Sequence, residues 1–392
     1  MNYFEFINSV KILSGENALN NIPYELDFFG ANNPLIISDR GLEKVGSVKL
    51  LIDTLKNSKL NLGNLFLDIP TDSSFSTIKS IIDFYKQNNC DSLIALGGGS
   101  VIDTAKIARL ALSQDKDNLE DIMGNEIIKK GKLIPFIVIP TTAGTGSECT
   151  SVAVIKNEKT MIKMEFISQE ILPNVAVIDP ILTKNLPLKL TASTCIDALS
   201  HAIEAFSGIQ KNIISDGFAI SAIKLISQSL PLVIKDSSSL ELRNNLAVAA
   251  TLAGISFSNS MVGVVHAIGH SIGAVCGIPH GNAMAILLPH CMKFNLDTCE
   301  KEYAELLLYL TNAETFASTP KEIRAKKAIE YVENLILMLN KTVGLPIKLS
   351  EYGVSEKKFD EIVNKALNDG AVIINKKNVT SVNIKKILSE AL

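Results

Sequence analysis

The chain changes character once, near Leu186, and that change restricts the fold more than any other feature. Before it, short β-branched runs alternate with helical patterns. Pro34–Ser38, Leu65–Asp68, Ser92–Leu96, Pro135–Ile139 and Val175–Asp179 read as strands, and Ser76–Gln87 and Val101–Ser113 read as helices between them. Strands that alternate with helices pack as a parallel sheet with helices against its faces. After Leu186 only helical patterns recur: Ala192–Phe206, Ser215–Leu230, Ser239–Phe257, Gly263–Val275, Glu300–Leu310, Lys321–Lys341 and Glu356–Leu367. We therefore expect an α/β domain at 1–185 and an all-helical domain at 186–392, joined near Pro187. The length of 392 residues agrees, since single cores rarely grow past ~250–300 residues.

Two glycine-rich loops follow predicted strands. Ser92–Leu96 runs into Gly97, Gly98, Gly99 and Ser100, and Pro135–Ile139 runs into Pro140–Thr150, where hydroxyls and glycines alternate. Glycine lets a backbone approach a ligand closely, and the helix after such a loop offers free amides and a partial positive charge to a phosphate. Two loops at the carboxyl ends of parallel strands point to a nucleotide site. Neither is the GxGxxG fingerprint. Asp103 falls in the first turn of the helix after the first loop, as a ligand contact or a support for the loop. Asp39, at the end of the first strand, can accept from ribose hydroxyls and would repel the 2′-phosphate of NADP; on its own it reads better as a helix N-cap or a surface aspartate.

All five histidines lie between His201 and His290, and four of them fall within 25 residues: His266, His270, His280 and His290. Asp197 and His201 are four apart on one predicted helix, and His266 and His270 are four apart on another, so each pair shares a helical face. Several imidazoles with one carboxylate suit a divalent first-row metal such as Fe²⁺ or Zn²⁺ with open positions; calcium or magnesium would want more oxygens. Spacing does not say which histidine is left out.

The bulk properties narrow the rest. A net charge of −3 gives no reason to expect a nucleic-acid partner. The lysine pairs Lys129-Lys130 and Lys385-Lys386 read as solvated surface. The first residues lack a basic start followed by an apolar run, and no apolar stretch reaches the ~18–20 residues of a membrane helix without a polar break. Six cysteines without CxxC spacing read as free thiols, which leads us to expect a cytoplasmic protein.

Taken together, the motifs resemble the iron-containing (group III) alcohol dehydrogenases. The resemblance rests on Leu96–Lys106, Ile139–Glu148, Asp197–Glu204 and the stretch from Val265–His270 through Pro279–Gly281 to Leu288–His290, and it runs from the N-terminus to the last helices. It implies a dehydroquinate synthase-like fold, with an N-terminal dinucleotide-binding domain, an all-α C-terminal domain, and metal and substrate in the cleft. The implied reaction is reversible hydride transfer between a small primary alcohol or diol and NAD, with NADP as the second cofactor choice and Fe²⁺ or Zn²⁺ as the metal. By matching position, Asp197, His201, His266 and His280 hold the metal, and His270 is the proton-relaying histidine near nicotinamide and substrate. His290 is structural. The implied cofactor residues are Asp39, the Gly97–Ser100 loop, Thr141, Thr142, Ser147, Lys163 and Leu182. The family implies a homodimer or larger homo-oligomer.

The chain departs from the family at two places. Ile69–Ser73 stands where many members carry Asn-Pro-Thr, which puts a cofactor contact there in doubt. Thr194-Cys195-Ile196-Asp197 replaces a common Thr-Gly-x-Asp, and Cys195 with Cys276 raises the expectation of oxidation sensitivity. Glycerol dehydrogenases and dehydroquinate synthases share the two-domain plan, but the extended Val265–Pro289 segment matches the iron type. A non-catalytic sensor would not need the full ligand set and both loops. No arginine or lysine lies within the metal-binding segments, which favours uncharged alcohols over hydroxy acids.

Overall fold

The computed structural model describes residues 3–70, 74–114, 133–158 and 162–392, with backbone alone at 157, 162 and 163. Lys129-Lys130 and Thr71–Ser73 lie outside the described residues. The chain forms two units, one of Asn8–Thr142 with Gly146–Asn185, the other of Leu186–Leu392 with Ala143–Thr145 and the residues up to Ile7.

The first unit holds strands β1 (Lys11–Ser14), β2 (Pro34–Ile37), β3 (Leu65–Phe66), β4 (Ser92–Gly97), β5 (Phe136–Pro140), β6 (Val152–Asn157), β7 (Ile162–Ile167) and β8 (Val175–Ile178). Its helices are α1 (Ile22–Phe28), α2 (Arg40–Lys44), α3 (Ser47–Leu55), α4 (Phe75–Gln87) and α5 (Gly99–Gln114). Among the described residues, six strands form a parallel sheet in the order β1-β8-β5-β4-β2-β3. The central strands β8, β5, β4 and β2 are buried along their whole length, as expected when helices cover both faces of a parallel sheet. Alternate residues feed two separate cores. Leu35, Ile37, Leu93, Ala95, Phe136 and Val138 pack with α4 and α5; Ile36, Ile94, Leu96, Ile137, Ile139 and Val177 pack with α1 and α3.

Every strand expected in this half is present, with ends shifted by one or two residues. Two features were not anticipated. β1 is a short edge strand with a mostly exposed pattern, so it lacks the apolar run of a buried strand. β6 and β7 pair antiparallel outside the main sheet. Their hairpin is fastened to α5 by buried polar groups: the Lys106 Nζ donates to the carbonyls of Thr150 and Val152 at 2.7 and 2.9 Å and to the Thr150 hydroxyl at 2.9 Å.

The second unit is α6 (Leu188–Ser207), α7 (Ile213–Lys235), α8 (Leu240–Ser258), α9 (Val264–Cys276), α10 (His280–Asn295), α11 (Glu300–Leu310), α12 (Ala313–Ser318), α13 (Arg324–Val343), α14 (Phe359–Leu367), α15 (Ala371–Ile374) and α16 (Ser381–Glu390). Residues 186–392 contain no strand. α6 is buried on almost every side from Thr191 to Ser207 and packs against α7, α8 and α10, which makes it the axis of the unit. α7, at 23 residues, is long and apolar enough to cross a membrane. Here it is a core helix, with Ala219, Ala222, Ile223, Ile226 and Leu230 buried and with α6, α8 and α11 as its neighbours. α10 was not anticipated, because Pro279, Gly281 and Pro289 read as breakers. Pro279 sits at the N-cap, where the missing N–H costs nothing.

Candidate functional site

α6 carries Asp197 and His201 one turn apart. α9 brings His266 to them, and the Gly277-Ile278-Pro279 link turns the chain into α10, whose first residue is His280. One ligand atom from each of Asp197, His201, His266 and His280 lies within 4.8 Å of all the others. The Asp197 Oδ1 stands 3.2 Å from His280 Nε2, 3.7 Å from His266 Nε2 and 3.9 Å from His201 Nε2. Four ligands at about 2.1 Å from a tetrahedral ion would be about 3.4 Å apart, so the spacings fit a first-row cation. Asp197 Oδ1 and His266 Nε2 are buried without a hydrogen-bond partner. Such groups carry a desolvation cost unless something binds them. The donor set and its orphaned atoms together fit a divalent metal.

The rings are held by stacking and by charge. His201 is sandwiched between Phe257 and His266, with centroids at 4.3 and 4.4 Å. Burial pushes the His201 imidazole down to about 3 and lowers that of His280, so both hold a free lone pair at neutral pH. Burial also opposes protonation of His266, but the carboxylates of Glu204 and Asp197 hold it up at about 9 in the metal-free chain, so a cation would displace the proton from Nε2. Burial works against ionisation of Asp197 too, yet the histidines around it keep its carboxyl well below the usual range.

His270 lies one turn beyond His266 and is not among those four ligand residues. Its ring stacks on His280 at 5.3 Å, and its Nδ1 is 2.9 Å from Asp369 Oδ2. Asp369 also accepts from the Ala371 amide through Oδ1. A carboxylate only accepts, so Nδ1 carries the proton and Nε2 is left as the basic atom. His290 is partly buried and is not one of the four ligand residues.

In the first unit, the carboxyl ends of β2, β4, β5 and β8 lie along one edge of the sheet, where open α/β sheets take ligands. Asp39 follows β2, the Gly97–Ser100 loop follows β4, Thr141 and Thr142 follow β5, and Leu182 follows β8. Gly97 is required for packing: a methyl there would sit 2.5 Å from Val101. α5 begins at Gly99, so the N-terminus of this helix lies at the same edge. Leu182 is buried in the core that includes Ile139 and Val177. Three candidates are occupied by the protein itself. Asp39 caps α2 by accepting from Leu42 N at 2.9 Å. The Ser147 hydroxyl donates to Asp103, whose other oxygen accepts from Val154 N at 3.0 Å; this pair ties the second loop and the β6–β7 hairpin to α5. Lys163 lies on β7 opposite Lys156, and its side chain is outside the described residues.

Sequence reasoning assigned no role to Glu204 and did not find Asp369. Glu204 had a readable signal, since it falls on the stripe of Asp197 and His201. Asp369 is 99 residues from His270 and had none. Cys195 is fully buried with its thiol pushed up to about 12 by burial, and Cys276 is partly exposed with its thiol also raised by burial. Neither is an activated thiolate.

Comparison with known proteins agrees with this arrangement. Residues 9–180 match the family "Iron-containing alcohol dehydrogenase", and residues 191–392 match "Fe-containing alcohol dehydrogenase family, C-terminal". The chain is similar to the NAD-dependent methanol dehydrogenase of Bacillus methanolicus, with 33% identity over 96% of this chain and 97% of that protein. It is also similar to the 1,3-propanediol dehydrogenase of Citrobacter freundii, with 31% identity over 96% of each. Among solved structures, a 1,3-propanediol oxidoreductase superposes with a TM-score of 0.93 at 30% identity over the full length of both chains. The fold, the clustered donors and these relatives lead to one conclusion: the chain belongs to the iron-containing alcohol dehydrogenase family and is an alcohol oxidoreductase.

Proposed function

We propose that the chain interconverts a small primary alcohol or diol with its aldehyde, using NAD and a divalent metal held by Asp197, His201, His266 and His280. Fe²⁺ is the proposed native metal, with Zn²⁺ as the alternative. The observation that carries the reading is the buried pair of Asp197 Oδ1 and His266 Nε2, 3.7 Å apart and without hydrogen-bond partners. A bound divalent cation supplies Lewis acidity to a hydroxyl or carbonyl oxygen. Asp197 contributes negative charge that retains the cation, and His201 and His280 stay neutral so that their lone pairs are available. Bound NAD would supply the acceptor for the hydride of the alcohol carbon in the oxidative direction, which leaves the hydroxyl proton for the chain's own residues to take. His270 relays that proton through Nε2, while Asp369 holds Nδ1.

NAD is proposed over NADP because Asp39 ends β2 with a carboxylate that would repel a 2′-phosphate. The Gly97–Ser100 loop, the α5 amides, Thr141 and Thr142 are proposed to hold the pyrophosphate and ribose, with Leu182 as an apolar wall. Asp103 and Ser147 support the loop. An uncharged substrate follows from the lack of arginine or lysine in the metal-binding segments. We also propose a homodimer or larger assembly, because β1 leaves an edge with Ile12 exposed, and a cytoplasmic location, because the six cysteines are free. The test is anaerobic turnover after separate reconstitution with Fe²⁺ and Zn²⁺, using C2–C4 alcohols, diols and hydroxy acids with NAD⁺ or NADP⁺. Metal-dependent NADH formation from alcohols or diols is expected. Silence across the panel, with metal bound and the protein folded, contradicts the proposal.

A further inference from the structure

We infer that Glu204 is a positioning residue that fixes the tautomer of His266 and so its capacity to bind metal. This rests on the metal-site reading above. Glu204 lies on α6 three residues after His201 and seven after Asp197, on the stripe that faces α9. It is buried, and each carboxylate oxygen has its own donor. Oε1 accepts from the Val265 amide at 2.7 Å, and Oε2 lies 2.5 Å from His266 Nδ1. A carboxylate cannot donate, so Nδ1 holds a proton and Nε2 is the atom that can give up its own and offer a lone pair to a cation. That lone pair points towards Asp197 Oδ1. The same carboxylate also caps a helix. Gly263, the N-cap of α9, has no side chain to satisfy the first-turn amides; Glu204 supplies the acceptor for Val265 from α6, and Asn375 Oδ1 the one for Val264. A methyl on Gly263 would stand 3.1 Å from Glu204 Oε1, so the glycine keeps this approach open. One side chain thus anchors the start of α9 and orients the ring that the helix carries.

The two donors make Glu204→Gln informative. Glutamine has one acceptor oxygen for two N–H groups. If the oxygen stays on Val265, the amide NH₂ meets Nδ1 and drives the proton to Nε2, which blocks the ligand atom. If the oxygen moves to Nδ1, the NH₂ opposes the Val265 N–H. The experiment is a chelator-competition titration of Zn²⁺ on the unmutated and Glu204→Gln proteins, with the melting temperature of each metal-free form and NAD affinity measured in parallel. Loss of an outer partner of a ligating histidine weakens metal binding by ~10–100-fold, and that loss is expected here with NAD affinity unchanged. A Zn²⁺ Kd within about twofold of the unmutated value overturns the inference, even if the melting temperature falls, because a cap alone would move only the latter. Should the variant not fold, selectively ¹⁵N-histidine-labelled, zinc-loaded unmutated protein decides: a proton on Nδ1 of His266 supports the role, and a proton on Nε2 overturns it. If the unmutated protein binds no Zn²⁺, the metal-site reading itself falls; if it binds and the variant binds equally, only the role of Glu204 falls.

Discussion

Gly281→Ala should weaken the metal site without touching a ligand. Gly281 follows His280 at the start of α10 and lies against α6. A methyl there would be 2.6 Å from the Ser193 carbonyl oxygen and 2.9 Å from its carbon. Ordinary contact begins at 3.4 Å, so the start of α10 must retreat by 0.8 Å (3.4 less 2.6). Ser193 is backbone in a buried helix and cannot swing aside. It lies one turn before Asp197, so the retreat lengthens the 3.2 Å between Asp197 Oδ1 and His280 Nε2. Overpacking of this kind costs ~1–3 kcal/mol, and displacing a ligand by most of an ångström is expected to lower metal affinity at least ~10-fold. Urea titration of the metal-free protein reads the first effect, and chelator competition with Zn²⁺ reads the second. Gly217→Ala is the control: it sits in α7, where an added methyl would meet nothing within 4 Å, and it should stabilise by ~0.5–1 kcal/mol. A Gly281→Ala protein with unchanged urea midpoint and unchanged Zn²⁺ affinity would refute the packing argument.

His270→Ala should keep stoichiometric Zn²⁺ but lose ~10²–10⁴-fold in kcat; lost metal would make His270 a ligand instead. Asp39→Gly should raise the preference for NADP⁺ relative to NAD⁺ in kcat/KM, and should cost only about 0.3 kcal/mol although it removes the α2 cap, because glycine is itself a good N-cap; an unchanged cofactor ratio argues against the ribose role. Burial lowers Lys106 to about 8 from an ordinary 10.5. Between those values the unfolded chain binds the extra proton, so stability should rise with pH across that window. The urea midpoint of the unmutated protein should therefore climb from pH 8 to 10 relative to that of Lys106→Met, and parallel curves would contradict the buried cation.

The sheet was legible because β2, β4, β5 and β8 are buried on both faces and so appear as unbroken β-branched runs. What escaped was decided by tertiary contact. β1 is an edge strand with no apolar run, and β6–β7 is held by Lys106 and Asp103 from α5. α10 begins with His280 and Gly281 after an N-cap proline, which signal a turn locally; the proline is tolerated because that position needs no N–H, and the glycine because a side chain there would clash with Ser193. The metal donors were legible as two four-residue spacings and one isolated histidine, although only the resemblance separated His280 from His270 and His290. Asp39, Asp103 and Ser147 show the opposite limit. Their residue types suit a ligand, but hydrogen bonding inside the protein competes for the same atoms, and that competition is invisible until the loops are placed. Cys195 was expected to confer oxidation sensitivity and is instead a buried thiol.

The most direct test of the central claim is elemental analysis of bound metal in the unmutated protein and in His266→Ala and His280→Ala, each loaded anaerobically with Fe²⁺ or Zn²⁺, alongside NAD affinity. The account predicts one ion per chain in the unmutated protein, little or none in either variant, and NAD binding retained in all three. A full complement of metal with full alcohol turnover in His280→Ala would contradict it.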